Sequence, residues 1–255
     1  TGSTRYRLSI RILTIMKKKT LRYISLLLIL TNSIWLCPGA WGQTVPQKKD
    51  KETLKAAYQT TPFYQGTSIG VEVAGAAGYA LGSDILSSEV KLEANFKNRY
   101  MPVVEIGYGK TDATNDDTQM HYKTSAPYFR VGMDYNVFYL KPYLPGHLYV
   151  GGRYSMSSFT YDVDGPIMSD PNYGGHITSN YAYTGQKSTA KWLEAVVGIK
   201  VKIYKRFCMG WAVRYKIRMK VDENENSTPW YVPGYGKNGS SSFNLTYNLT
   251  YDLPF

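Results

Sequence analysis

From Ser68 onward, apolar and polar side chains take turns along the chain. The closing stretch is the plainest case: Phe243, Leu245, Tyr247, Leu249, Tyr251, Leu253 and Phe255 alternate with Asn244, Thr246, Asn248, Thr250 and Asp252. A side-chain period of two is the mark of a β-strand with one apolar and one polar face. The run matches the roughly 9–11 residues that a tilted strand needs to cross a bilayer.

Eight such segments can be read: 68–80, 87–97, 101–110, 126–140, 148–159, 190–203, 207–221 and 243–255. The seventh is the most regular, with Phe207, Met209, Trp211, Val213, Tyr215, Ile217, Met219 and Val221 on one face and Arg214, Lys216, Arg218 and Lys220 on the other. The connections 98–100, 141–147 and 204–206 are short, and 111–121, 160–189 and 222–241 are longer. The first, around 81–86, is short and breaks the rhythm. Short turns at one end and long loops at the other, with an even strand number, predict an eight-stranded antiparallel up-and-down transmembrane β-barrel over 67–255. The 24 Tyr and 23 Gly suit aromatic girdles and a close-packed interior.

The net charge of +11 is uneven. Seven basic residues and no acid precede Gln43, leaving 23 bases against 19 acids, about +4, for the remainder. That balance removes the case for a nucleic-acid partner. The front segment reads as a secretory signal over 16–42: Lys17-Lys18-Lys19, an apolar core over 21–36, and Ala40-Trp41-Gly42 before cleavage. Residues 1–15 read as an upstream extension, and 43–66 as a polar periplasmic lead-in with a helical turn near Leu54–Tyr58. After cleavage Cys208 stands alone, so neither a disulfide nor a paired-Cys metal site is expected. The large residues before Cys37 argue against lipidation there.

The alternation sends one charged face inward. Glu72, Glu89, Glu93 and Glu105 come from the first three segments. Lys200, Lys202, Arg214, Lys216, Arg218 and Lys220 come from the sixth and seventh, with Arg130, Asp134 and Arg153 between. This places acids on one side of the lumen and bases on the other. An eight-stranded barrel is filled by its own side chains, so these charges are expected to pair and plug it. A narrow anion path along Arg214, Lys216, Arg218 and Lys220 is the alternative.

Catalytic signals are thin. His121, His147 and His176 have no Ser or Asp at a telling spacing. Forcing His176 onto Ser179, Asp164 or Asp170 would give a lipid-modifying rim site of the kind some barrels carry. Asp112, Asp116 and Asp117 lack the spacing of a calcium loop. No metal and no cofactor is expected. Trp230, Tyr231 and Tyr235, in the aromatic run 229–236, are candidates for external contacts, or for a loop folded over the mouth.

The stretches 97–105, 211–216 and 229–236 resemble a family of outer-membrane barrels from Bacteroidota-type bacteria with no assigned activity, over about 67–255. More broadly the chain resembles the small barrels of the OmpA and OmpX kind. The resemblance implies residence in the cell outer membrane, contact with its lipid, and a role as anchor, adhesin or subunit beside another outer-membrane protein. It also implies that Tyr251, Leu253 and Phe255 form the terminal signal read by the barrel-assembly machinery.

Overall fold

The computed structural model describes residues 51–142, 144–166, 168–169, 178–179, 181–225 and 227–254. The signal segment, the upstream extension, His176, Asp170 and Phe255 lie outside them. Helix α1 (Lys51–Gln59) precedes β1 (Tyr64–Glu72), and α2 (Ala74–Ala80) follows it. Then come β2 (Ile85–Phe96), β3 (Tyr100–Thr114), β4 (His121–Asn136) and β5 (Gly146–Asp164). A small pair, β6 (Met168–Ser169) and β7 (Thr178–Ser179), leads to β8 (Ala182–Tyr204) and β9 (Phe207–Val221). A second small pair, β10 (Tyr231–Val232) and β11 (Gly236–Lys237), precedes β12 (Ser241–Asp252).

The eight long strands close in the order β1-β12-β9-β8-β5-β4-β3-β2, each antiparallel to its neighbours. Closure leaves no free sheet edge along most of the wall, which is how all-β chains avoid edge pairing. Burial alternates strictly, as in β3, where every second residue from Met101 to Lys110 is buried. The buried set combines charged residues, among them Glu89, Glu105, Arg130, Asp134, Arg153, Glu194 and Arg214, with an apolar and aromatic cluster that includes Tyr122, Tyr128, Phe159, Tyr161 and Trp192. The exposed set is apolar, including Ile106, Val131, Ile199, Val213 and Leu249.

The tight turns use left-handed backbone at Lys97 and Asn98, and again at Lys205, as short hairpins of this twist require. Three expectations change. The first segment does not run as a strand from 68 to 80. It ends at Glu72, and Ala74–Ala80 is helical, its N–H groups at Ala74 and Gly75 accepted by the Glu72 carboxylate. Alanine-rich sequence favours this helix, and the short run of alternating apolar residues could not signal it. The first connection therefore spans 73–84 and is not short. The part of the lead-in that is described forms α1 and the start of β1, and Tyr58 of α1 packs edge-on against Tyr139.

Candidate functional site

The barrel interior is the site. Cross-strand register places Glu105 opposite Arg130 and Arg153 opposite Glu194. Glu105 has no exposed surface and takes Arg214 at 2.8 Å, with Arg130 and Arg153 each at 3.4 Å. Arg214 also reaches Glu89 at 2.5 Å, and Arg130 pairs with Glu89 and, at 2.9 Å, with Glu194. Arg153 holds Asp134 at 2.7 Å. The Trp192 indole N–H donates to Glu194 at 2.6 Å. Toward the end with the tight turns, Glu93 takes Lys91 at 2.7 Å and Lys200 at 3.0 Å, and Lys200 lies 3.5 Å from Asp252. A charge removed from water is tolerated only when paired, and these side chains supply one another. Gly107 makes room for the Tyr128 ring: a Cβ there would collide with it.

At the other end, the hairpin of β10 and β11 folds into the mouth. Tyr231, Val232 and Tyr235 are buried. The Gly234 carbonyl accepts from Arg130 at 2.9 Å and from Lys216 at 2.7 Å, and Lys216 also donates to the Tyr235 carbonyl. Gly234 has φ +80°, a left-handed turn that suits glycine. The Tyr122 hydroxyl donates to the Tyr231 carbonyl at 2.7 Å, and Arg218 donates to Asn238 at 2.6 Å. Burial pushes the Tyr231 hydroxyl up to about 12.

These positions correct several expectations. Tyr231 and Tyr235 do not face outward for contacts; of the three loop aromatics only Trp230 is exposed, packed on Tyr122 with Lys237 over its ring. Lys202 is exposed, and Lys220 pairs with Asp222 at the surface, so neither joins the interior network. Acids and bases are not segregated: Arg130 stands beside Glu105, and Glu194 lies among the bases of β8 and β9. Glu72 caps α2 and has no ion pair among the described residues. Lys91 and Glu194 belong in the network and were not placed there by sequence. Their signal was their phase: each falls on the inward position of its strand.

His121 does find carboxylates. The β3–β4 and β4–β5 registers bring Asp112 to 2.7 Å from its Nε2 and Asp164 to 3.9 Å from its Nδ1. Spacing along the chain could not show this, because both contacts cross strands. Cys208 is buried and donates weakly to Asp252. Asn115 takes the Asp117 and Thr118 N–H groups, a turn rather than an ion cradle. No cluster able to hold a metal ion occurs among the described residues.

The eight long strands define a closed up-and-down barrel with charged residues facing inward. The chain belongs to the family "Domain of unknown function (DUF6048)", whose model matches residues 20–255. No curated protein matches it. Among solved structures it is similar to Neisserial surface protein A, with 17% identity over 74% of this chain and 96% of that one, TM-score 0.42. It is also similar to Ail, the attachment invasion locus protein of Yersinia pestis (8% identity, 74% and 98% covered, TM-score 0.39) and to a major outer membrane protein from Thermus thermophilus (12%, 74% and 100%, TM-score 0.42). At such identities neither ligand nor partner transfers, and the functional reading rests on this chain's own residues.

Proposed function

We propose that this chain is an integral outer-membrane barrel that acts as a structural protein or a subunit of an envelope complex, with no catalysis and no open pore. The observation that carries the reading is the inverted burial: charged residues packed inside, and apolar side chains exposed around the wall. Only a lipid environment makes that arrangement favourable. Each of these half-exposed Ile, Val or Leu side chains would gain roughly 1 kcal/mol on leaving water. No helix among the described residues is long and apolar enough to cross a membrane, and a closed barrel is the other way to satisfy backbone groups in lipid.

Against conduction, the basic row does not line a path. Arg214 is spent on Glu89 and Glu105, Lys216 on the loop carbonyls and Arg218 on Asn238. Against catalysis, both ring nitrogens of His121 face carboxylates. Nε2 is held by Asp112 at 2.7 Å, Asp164 stands beyond hydrogen-bond reach of Nδ1 at 3.9 Å, and no hydroxyl or thiol hydrogen-bonds the ring among the described residues. The expected partners are membrane lipid, the assembly machinery during insertion and another envelope protein, with Trp230 offered outside.

The test is fractionation of cells expressing the tagged chain, followed by pull-down in mild detergent and mass spectrometry. A heat-modifiable band in the outer-membrane fraction with a stoichiometric protein partner is the expected result. A chain found in the soluble fraction would overturn the reading.

A further inference from the structure

The wall has a notch. β1 pairs with β12 only from Ser68 to Glu72, and with β2 up to Val71 opposite Val90. Its two neighbours continue past it, β12 to Ser241 and β2 to Ile85. Had β1 continued in register, Gly75 would lie beside Leu245 and Ala77 beside Phe243. The chain instead turns into α2, which leans on β2: a Cβ at Gly75 would collide with the Ser87 carbonyl. The last rung to β12 is the Val73 N–H donating to the Tyr247 carbonyl at 3.0 Å.

Strand residues two apart present their N–H and C=O groups to the same side. Leu245 and Phe243 therefore aim theirs where Tyr247 does, into the notch, and no strand among the described residues meets them. A cavity of about 370 Å³ opens there, lined by Phe243 and Leu245 and by the inward-facing Glu72, Glu89, Lys216 and Thr246. That volume lies within the usual range for a small-molecule site. Phe243 is 74% and Leu245 56% exposed, facing outward with the rest of the apolar wall.

Eight residue steps of β12 separate Tyr251 from Phe243. At about 3.3 Å each and a tilt near 40° they climb roughly 20 Å. Phe243 therefore sits near the outer edge of an apolar band about 25 Å tall, where acyl chains join their head groups. Unmet backbone groups in lipid cost several kcal/mol each. The complement of a free N–H and C=O pair is a group that both accepts and donates, which a secondary amide does and an ester does not.

We infer that the notch binds an amide-linked acyl amphiphile of the outer leaflet. Its amide meets the open backbone of Phe243 and Leu245, and its chain lies along their side chains. The inference rests on the outer-membrane reading above. It is tested by replacing Phe243 with photoreactive p-benzoylphenylalanine in the full chain, irradiating intact cells and weighing the adduct. A second readout is the lipid retained by the detergent-purified barrel in native mass spectrometry, for the unaltered chain and for Gly78→Leu. Gly78 lines the cavity and a Cβ there meets open space, so a leucine side chain can be introduced at the site from a position with room at its base. The expected result is one amide-acylated lipid in both assays, with retention falling at least fivefold in Gly78→Leu. An adduct to protein or to an ester-only phospholipid, or equal retention in Gly78→Leu, would overturn the site. A chain missing from the outer-membrane fraction would instead overturn the reading beneath it.

Discussion

The β5–β8 side and the β1–β12 side of this barrel are built differently. β8 is 23 residues long and pairs with β5 from Gly146–Val201 up to Asp164–Ala182. β1 is nine residues long and gives way to a helix while its neighbours are still climbing. On the first side the ladder and the charges reinforce each other: Arg153 and Glu194 face across the pair, and Trp192 secures Glu194. On the second the wall is completed by α2, none of whose residues is buried. The lesson is that closure need not be uniform. A barrel can close through all eight strands while one seam is short and the opposite one long.

Substitutions can widen or erase that contrast. The largest effect is expected from proline. β8 has partners on both sides, so Val197→Pro removes a ladder bond and is expected to abolish the heat-modifiable band. Ala77→Pro in α2 is expected to leave that band in place, although a helix-interior proline typically costs about 3 kcal/mol within the helix itself. Equal loss in both variants would mean that α2 is as integral to the wall as β8.

Next comes the interior. Glu105→Ala leaves Arg130, Arg153 and Arg214 short of a shared carboxylate. Breaking a buried ion pair costs roughly 3–5 kcal/mol, which a shifted urea midpoint in micelles would register. An unmoved midpoint would show that the network fills space without adding stability.

A smaller change is expected from Tyr122→Phe. It deletes the hydrogen bond to the Tyr231 carbonyl, worth about 1 kcal/mol. Protease cleavage within 222–240 should speed up while the barrel stays intact, and unchanged cleavage would sever the loop from that bond.

The smallest concerns pH. The Tyr231 hydroxyl is raised to about 12 by burial, against roughly 10 when free. A raised acid favours its neutral form in the folded state. Its contribution is therefore complete below about pH 10 and is lost as the pH rises toward 12. Loop release should follow that window in the unaltered chain and flatten there in Tyr231→Phe. Release that rises equally in both would assign the effect to other groups.

Much of the fold could be read from alternation alone, because a barrel wall with opposite faces imposes a period of two on every strand. The inward phase likewise pointed to Glu105, Arg130, Arg153 and Arg214. Three things were not legible. The switch at Val73 follows an alternating start, and the seven-residue run after it is too short to show a helical period. The pairing of His121 with Asp112 and Asp164 depends on register between strands, which no single segment carries. The burial of Tyr231 and Tyr235 depends on the Gly234 carbonyl meeting Arg130 and Lys216, a contact between residues a hundred positions apart or on separate elements.

The central claim is that the lumen is closed by its own charges and by the loop folded into it. The direct measurement is current through the purified, folded barrel in a planar bilayer, recorded at moderate voltage over a range of salt. The account predicts a quiet bilayer, with no stable conductance steps. Stable, stepwise openings that favour anions would contradict it and restore the basic row of β9 as a path.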